Sequence, residues 1–260
     1  MIAFIHIGKT AGSTFKNVLR RSFGIHHCDI VASNEDMILR DADLKHACRV
    51  YPGIKSFSSH HFKNSANTLN TSLDYVTFLR DPAQRTASHY QHMVRDLEKQ
   101  RRDSIPDLKR WLQKGGKNFQ TRQITGNDNL GEAKDIIRKS FLFVGLTEQY
   151  DRSLNVFAGL SPWPIYHQVE KKNIAPDSTV KKQLLNDGEY LGLIEEATVI
   201  DKQLYDWVND EYFPELSDIA SRRSGNENIF TDKDRYRASR MYTNLIYRPS
   251  LKVFKLFKSN

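Results

Sequence analysis

The chain has 260 residues, 39% hydrophobic and 11% aromatic, enough for one sizeable core and within the range of a single α/β enzyme domain. No apolar run approaches the roughly 20 residues that span a bilayer. Met1 leads straight into a strand without a charged-then-apolar leader, so a cytoplasmic protein is expected. A net charge of +8 suits a polyanionic ligand, but no recognised nucleic-acid motif accompanies it, and no nucleic-acid partner is expected.

The first expected element is a strand over 2–7, a continuous apolar run of the kind shown by parallel strands covered on both faces. It runs into Gly8-Lys9-Thr10-Ala11-Gly12-Ser13-Thr14. Small residues let backbone N–H groups close around an anion. Lys9 and the hydroxyls of Thr10, Ser13 and Thr14 add charge and donors, and a helix over 12–22 adds its dipole. This is a phosphate cradle but not a Walker A loop, because the Lys comes directly after the first Gly. A weaker strand near 28–32 and a helix over 34–47 follow. His26 and His27 beside Cys28 have no second ligand pair nearby, so loop packing is the better reading and no metal is expected. Cys28 and Cys48 are expected as free thiols in a reducing compartment, with one disulfide as the alternative.

A strand over 54–58 ends at Ser58-Ser59-His60-His61-Phe62. Imidazole titrates near neutrality, so a His here suits removal of a hydroxyl proton. The strand over 74–79 closes on Arg80. Asp81 can cap, and Pro82 can open, a helix over 82–100. Arg80 and Ser88 are placed to grip a second phosphate, Arg80 through its bidentate fork. His89 and His92 read as packing or cleft-lining residues. Further helices are expected over 105–115, 147–159 and 188–209, with a strand over 141–145. The stretch 161–187, with Pro162, Pro164 and Pro176, reads as loop and short helix, and 214–231 as irregular.

Basic charge is unevenly spread. From Arg222 to Asn260 there are ten Lys and Arg against three acids, nearly the whole excess. A second cluster comprises Arg95, Lys99, Arg101, Arg102, Lys109, Arg110, Lys114 and Lys117. The run Leu251-Lys252-Val253-Phe254-Lys255-Leu256-Phe257-Lys258 interleaves apolar residues with Lys. That pattern fits peripheral contact with an anionic membrane or polymer, or an ordinary closing helix packed on the domain.

The loop at 8–14 and the Arg80-Asp81-Pro82…Arg85…Ser88-His89-Tyr90 segment together resemble sulfotransferases that use 3′-phosphoadenosine 5′-phosphosulfate (PAPS). The nearest branch sulfates carbohydrate hydroxyls and is typified by heparan and chondroitin enzymes ("sulfotransferase family 2"). The segments Asn118-Phe119-Gln120-Thr121-Arg122, Gly145-Leu146-Thr147-Glu148…Asp151-Arg152-Ser153-Leu154 and Asp201-Lys202-Gln203-Leu204-Tyr205 are similar to further motifs of that branch, in the same order. Ile7-Gly8-Lys9 departs from its usual I-P-K and leaves the loop less rigid.

The resemblance implies an α/β fold of the P-loop-NTPase-like three-layer type, a central parallel sheet flanked by helices. It implies a sulfotransferase domain over 1–213, with 214–260 as a basic C-terminal extension packed on it. Lys9 is implied as the catalytic cation and His61 as the general base, with His60 as the alternative. Gly8, Lys9, Thr10, Ala11, Gly12, Ser13, Thr14, Arg80 and Ser88 would bind PAPS without a metal. Arg85, Gln120 and Arg122 would contact a hydroxyl acceptor, expected to be a glycan and an anionic one if the basic clusters face it. Two other classes stay open. A P-loop kinase or nucleotidase lacks its terminal Lys-Ser/Thr and Walker-B Asp here. A non-catalytic phosphonucleotide- or glycan-binding module would not need both Lys9 and a strand-end His.

Overall fold

The computed structural model describes residues 1–51, 53–62, 73–100, 105–166, 179–223 and 233–258. Strands β1 (Ile2–Ile5), β2 (His27–Asp29), β3 (Ser56–Ser59), β4 (Asp74–Leu79) and β5 (Phe141–Leu146) form one parallel sheet in the order β2-β3-β1-β4-β5. Helices α1 (Gly12–Phe23), α2 (Asp41–Val50) and α3 (Pro82–Lys99) follow β1, β2 and β4. The chain reaches β5 through α4 (Leu108–Trp111), α5 (Phe119–Thr125) and α6 (Leu130–Ser140), and leaves it through α7 (Tyr150–Leu160). Then come α8 (Thr179–Asn186), α9 (Gly188–Ala197), α10 (Val199–Trp207), α11 (Phe213–Arg223), α12 (Lys233–Tyr242) and α13 (Arg248–Lys258). This is the expected α/β architecture, a parallel sheet flanked by helices.

Every residue of β1 is buried, as its unbroken apolar run requires in a central strand. Beneath it Phe15 of α1 meets Phe4, Phe78 and Phe157 at ring-centroid distances of 4.8, 4.9 and 5.0 Å. These rings anchor the start of α1 against the sheet. Register then sets the site. Ile5 pairs with Ser59 on β3 and with Thr77 on β4, so the segments leaving β1, β3 and β4 emerge at one carboxyl edge.

Several element boundaries differ from expectation, each for a local reason. β1 stops at Ile5, and His6 and Ile7 already belong to the loop. The expected strand at 28–32 is the shorter β2 at His27–Asp29. The expected helix 34–47 starts only at Asp41. The Asn34 side chain closes a turn onto Ile38, and the Asp43 carboxylate accepts from Arg40 N at 3.0 Å and Ser33 N at 3.1 Å. The helix expected at 105–115 is α4 followed by a wide turn, with Gly115 at φ 152°. The helix expected over 188–209 is broken between α9 and α10, because Asn118 Oδ1 accepts from Ile200 N and Asp201 N. Residues 213–223 are helical rather than irregular, and α8 is a short helix within 161–187 as expected; 167–178 and 224–232 lie outside the described residues. α5 and α6 were not anticipated, although Asn129 caps α6 by accepting from Glu132 N.

Helix α11 packs on α7 and β5, α12 on α1, and α13 on α2. Cys28 is buried and Cys48 exposed, both free thiols as expected. Among the described residues no helix is long and apolar enough to cross a membrane.

Candidate functional site

The turn out of β1 is held by its own small residues. Thr10 is fully buried and its hydroxyl donates to the Ile7 carbonyl at 3.0 Å. Lys9 and Ala11 both take positive φ, 72° and 59°. A non-glycine residue in that region costs of order 1 kcal/mol or more and persists only where its surroundings insist. Alternation of this kind turns successive N–H groups to one concave side, the geometry of an anion nest. α1 then begins with Ala11 as a cap that offers no side-chain acceptor and with no acid in its first turn, so its N-terminal dipole is uncompensated.

Two arginines brace this loop from β4 and α3. Arg80 donates from Nη1 to the Lys9 carbonyl at 3.1 Å, and Arg85 donates from Nε to the Gly8 carbonyl at 3.3 Å. Arg85 is wholly buried, stacked at 3.9 Å over the Phe119 ring, and donates from Nη2 to His89 Nδ1 at 2.9 Å. Burial pulls its pKa down to about 10, and Arg80 adds to the fall while Asp201 opposes it. Arg85 therefore braces the loop from inside the protein. Gln120 likewise serves the backbone. It is buried, its amide accepts from Arg80 N and donates to Arg80 O, both at 2.9 Å, and its own N–H donates to Asp201. Arg122 is exposed and forms a two-pronged pair with Asp128 at 2.6 and 2.8 Å.

The loop mouth carries surplus positive charge. Burial lowers the Lys9 pKa, and Arg80 and Arg95 lower it further. Glu148 lies 3.8 Å from Arg80 Nε and offsets that one cation in part. Among the described residues, buried Arg80 Nε and Arg85 Nη1 have no hydrogen-bond partner. Ser13 is exposed, whereas Gly12 is buried and Thr14 half-buried at the head of α1. Ser88 is half-buried on α3, three residues beyond Arg85 and so near the same side of that helix. Gly8 has open space where a Cβ would stand. These residues fit a phosphorylated anion.

Beyond β3 the two candidate histidines part company. His60 Nδ1 lies 2.7 Å from the His6 carbonyl, which can only accept, so the proton sits on Nδ1 and the neutral ring offers Nε2 as a base. His61 Nδ1 likewise donates to Met37 O, at 3.1 Å. Burial lowers the pKa of both, so both are neutral at pH 7. Their surroundings differ. The His60 ring stacks on His6 at 3.8 Å, and the His6 ring fills the space beside Gly12, where a Cβ would come within 2.0 Å of it. His60 is thus one ring away from the head of α1. His61 faces Met37, with Asp43 and Lys255 as its charged neighbours.

Behind the His6–His60 stack, Asp29 pairs with Arg20, Lys16 and His27 and accepts from the Ser58 hydroxyl. Burial works against its charge, but His27, Arg20 and Lys16 prevail and hold the carboxyl well below the usual range. His27 is buried on Ser56, a packing role. Among the described residues no cluster of three or more His, Cys, Asp or Glu could hold a metal ion.

Three residues with work at the site were not singled out from sequence. His6 was visible only as the one polar side chain in an apolar run. Gln123 Nε2 donates to the carbonyls of His60 and Phe62 and so holds the histidine segment. Asp201, buried on α10, accepts from Gln120 N at 3.0 Å and from Thr121 N and Oγ1 at 2.8 Å.

No curated protein sequence matches the chain. A family profile described as "Sulfotransferase family" matches residues 1–161, a span that holds the β1 loop, both histidines, Arg80 and α5. With its parallel sheet, its loop of positive-φ Lys9 and Ala11 after β1 and more than half its length within that match, the chain belongs to the sulfotransferase family.

Proposed function

We propose that this sulfotransferase takes its sulfuryl group from PAPS and passes it to a carbohydrate hydroxyl, with His60 as the general base. The N–H groups of 8–14 with the Ser13 and Thr14 hydroxyls would hold the 5′-phosphosulfate, and Arg80 with Ser88 the 3′-phosphate. His60 Nε2 accepts the acceptor hydroxyl's proton as that oxygen attacks sulfur in line. The bond from sulfur to the bridging phosphate oxygen breaks, and the Lys9 ammonium neutralises the charge left there. The products are a sulfate ester and 3′-phosphoadenosine 5′-phosphate. Part of the basic cluster, Arg95, acts electrostatically on Lys9, which favours an anionic glycan as acceptor.

One observation carries the choice of base. His60, and not His61, is joined through the His6 ring to the head of the phosphate loop. The reading is tested by thermal-shift titration without metal, where 3′-phosphoadenosine 5′-phosphate should stabilise the protein and ATP should not. Radiolabelled PAPS is then offered with neutral and anionic oligosaccharides, a lipid-linked sugar and simple alcohols. Stabilisation by ATP with magnesium alone would overturn the donor, and transfer only to non-sugar alcohols would overturn the acceptor.

A further inference from the structure

Helix α13 and its approach carry a feature that sulfuryl transfer does not use. From α12 through the wide turn at Thr243–Tyr247 into α13 the chain is continuously helical. Ser239, Thr243, Tyr247 and Leu251 are buried along it, and the Phe254 ring stacks at 4.3 Å on His46 of α2. Tyr51 and Tyr242 bind Thr243 Oγ1 and Val50 O from this interface. The segment is therefore fixed to the domain by one face, the role of an ordinary closing helix.

Its opposite face is apolar. Met241, Leu245, Val253 and Leu256 are 61%, 66%, 52% and 68% exposed, with Ile246 at 46% beside them. Five of the ten exposed large hydrophobics described in the whole protein thus lie in this one segment. Met241, Leu245, Pro249 and Val253 recur every four residues, two residues out of step with the buried row and hence across the helix from it. Arg237, Arg240, Arg248, Lys252 and Lys255 are exposed along the same stretch, and 235–258 contains no acid.

We infer that this face is a docking surface for an anionic lipid membrane, on which the helix lies flat with its apolar row among the headgroups. The paired chemistry selects that occupant. A second copy of the chain would bring the same acid-free basic rim against itself, and a soluble polyanion has no use for a row of exposed Leu, Val and Met. A helix that presents apolar residues at the centre and Lys and Arg at the flanks matches the boundary of a negatively charged bilayer. The inference is independent of the donor and acceptor proposed above.

Vesicle co-sedimentation of the full chain tests it. Phosphatidylcholine vesicles with ~30% phosphatidylserine should retain the protein at low salt and release it as ionic strength rises, while pure phosphatidylcholine should not retain it. Arg248→Gln with Lys252→Gln should weaken binding to the anionic vesicles by roughly 25-fold. Met241→Ser with Leu245→Ser and Leu256→Ser should abolish residual binding at moderate salt. Thermal shift with 3′-phosphoadenosine 5′-phosphate should be the same in all of them, showing that the fold is intact. Failure to bind anionic vesicles overturns the inference. So does a concentration-dependent dimer that the triple Ser variant disperses, and so does binding to heparin that the apolar substitutions leave unchanged in a protein that ignores vesicles.

Discussion

The strand ends of β1 and β3 lie side by side, yet they use polar side chains in opposite ways. At the end of β1 three polar side chains are spent on the loop itself: Thr10, Arg80 and Arg85 each bind a backbone carbonyl between Ile7 and Lys9. Shape there is the product, and N–H groups, Lys9, the Ser13 hydroxyl and the other Arg80 nitrogens are left to meet an anion. At the end of β3 the backbone does the holding, with the carbonyls of His6 and Met37 fixing one ring nitrogen each of His60 and His61. What distinguishes those two rings is only which neighbour they lie against.

The largest effect expected from that contrast is on turnover. Lys9→Ala and His60→Ala should each lower kcat by about 10²–10⁴-fold with the melting temperature preserved, whereas His61→Ala should stay near the parent rate. A dead His61→Ala beside an active His60→Ala would reverse the assignment and break the argument from stacking.

Next comes the bracing of the β1 loop. Arg85→Met removes the donors to Gly8 and His89 inside a sealed site and should cost about 2–4 kcal/mol in denaturant unfolding. Gly12→Ala forces a methyl against the His6 ring, so it should lower kcat along with stability. If Gly12→Ala weakens only nucleotide affinity, the two strand ends are not coupled through His6.

Acid sensitivity follows from the buried rings. Burial, with His60 next, holds His6 down to about 2, and burial with Arg85 holds His89 down to about 3, against 6.5 for an unburied imidazole. Below pH 6.5 the unfolded chain binds protons that these folded rings refuse, so stability falls as pH falls. Each ring contributes up to about 1.4 kcal/mol per pH unit over that window. His6→Phe keeps an aromatic beside Gly12 and His60 and should flatten the decline between pH 6 and pH 4 by about one such slope. An unchanged slope would mean that His6 does not titrate on unfolding.

The smallest effect is at Arg122. Its exposed pair with Asp128 should be worth under about 1 kcal/mol, and Arg122→Ala should leave both PAPS affinity and turnover alone.

The legible parts of this molecule are those written in neighbouring residues. The apolar β1, the glycine-and-lysine loop and the cap of α3, where Asp81 accepts from Gln84 N at 2.9 Å with Pro82 in the first turn, are all local patterns. The misread parts depend on partners far along the chain. Nothing near residue 198 announces that Asn118 will split a helix there. Residue type alone cannot say that Arg85 and Gln120 point into the protein. The ring that stacks on His60 belongs to His6, fifty-four residues earlier.

Asp201 has a consequence for where the working unit ends. Its carboxylate fixes the start of α5, α5 presents Gln120, Gln120 grips the backbone of Arg80 on both sides, and Arg80 holds the Lys9 carbonyl. Three links therefore join residue 201 to the loop after β1, and the anchor lies forty residues past the last position of the family match. A fragment cut at the edge of that match would keep every residue assigned to the chemistry and lose the tether that sets one of them. The stretch that holds this loop in place is longer than the stretch by which the family is recognised.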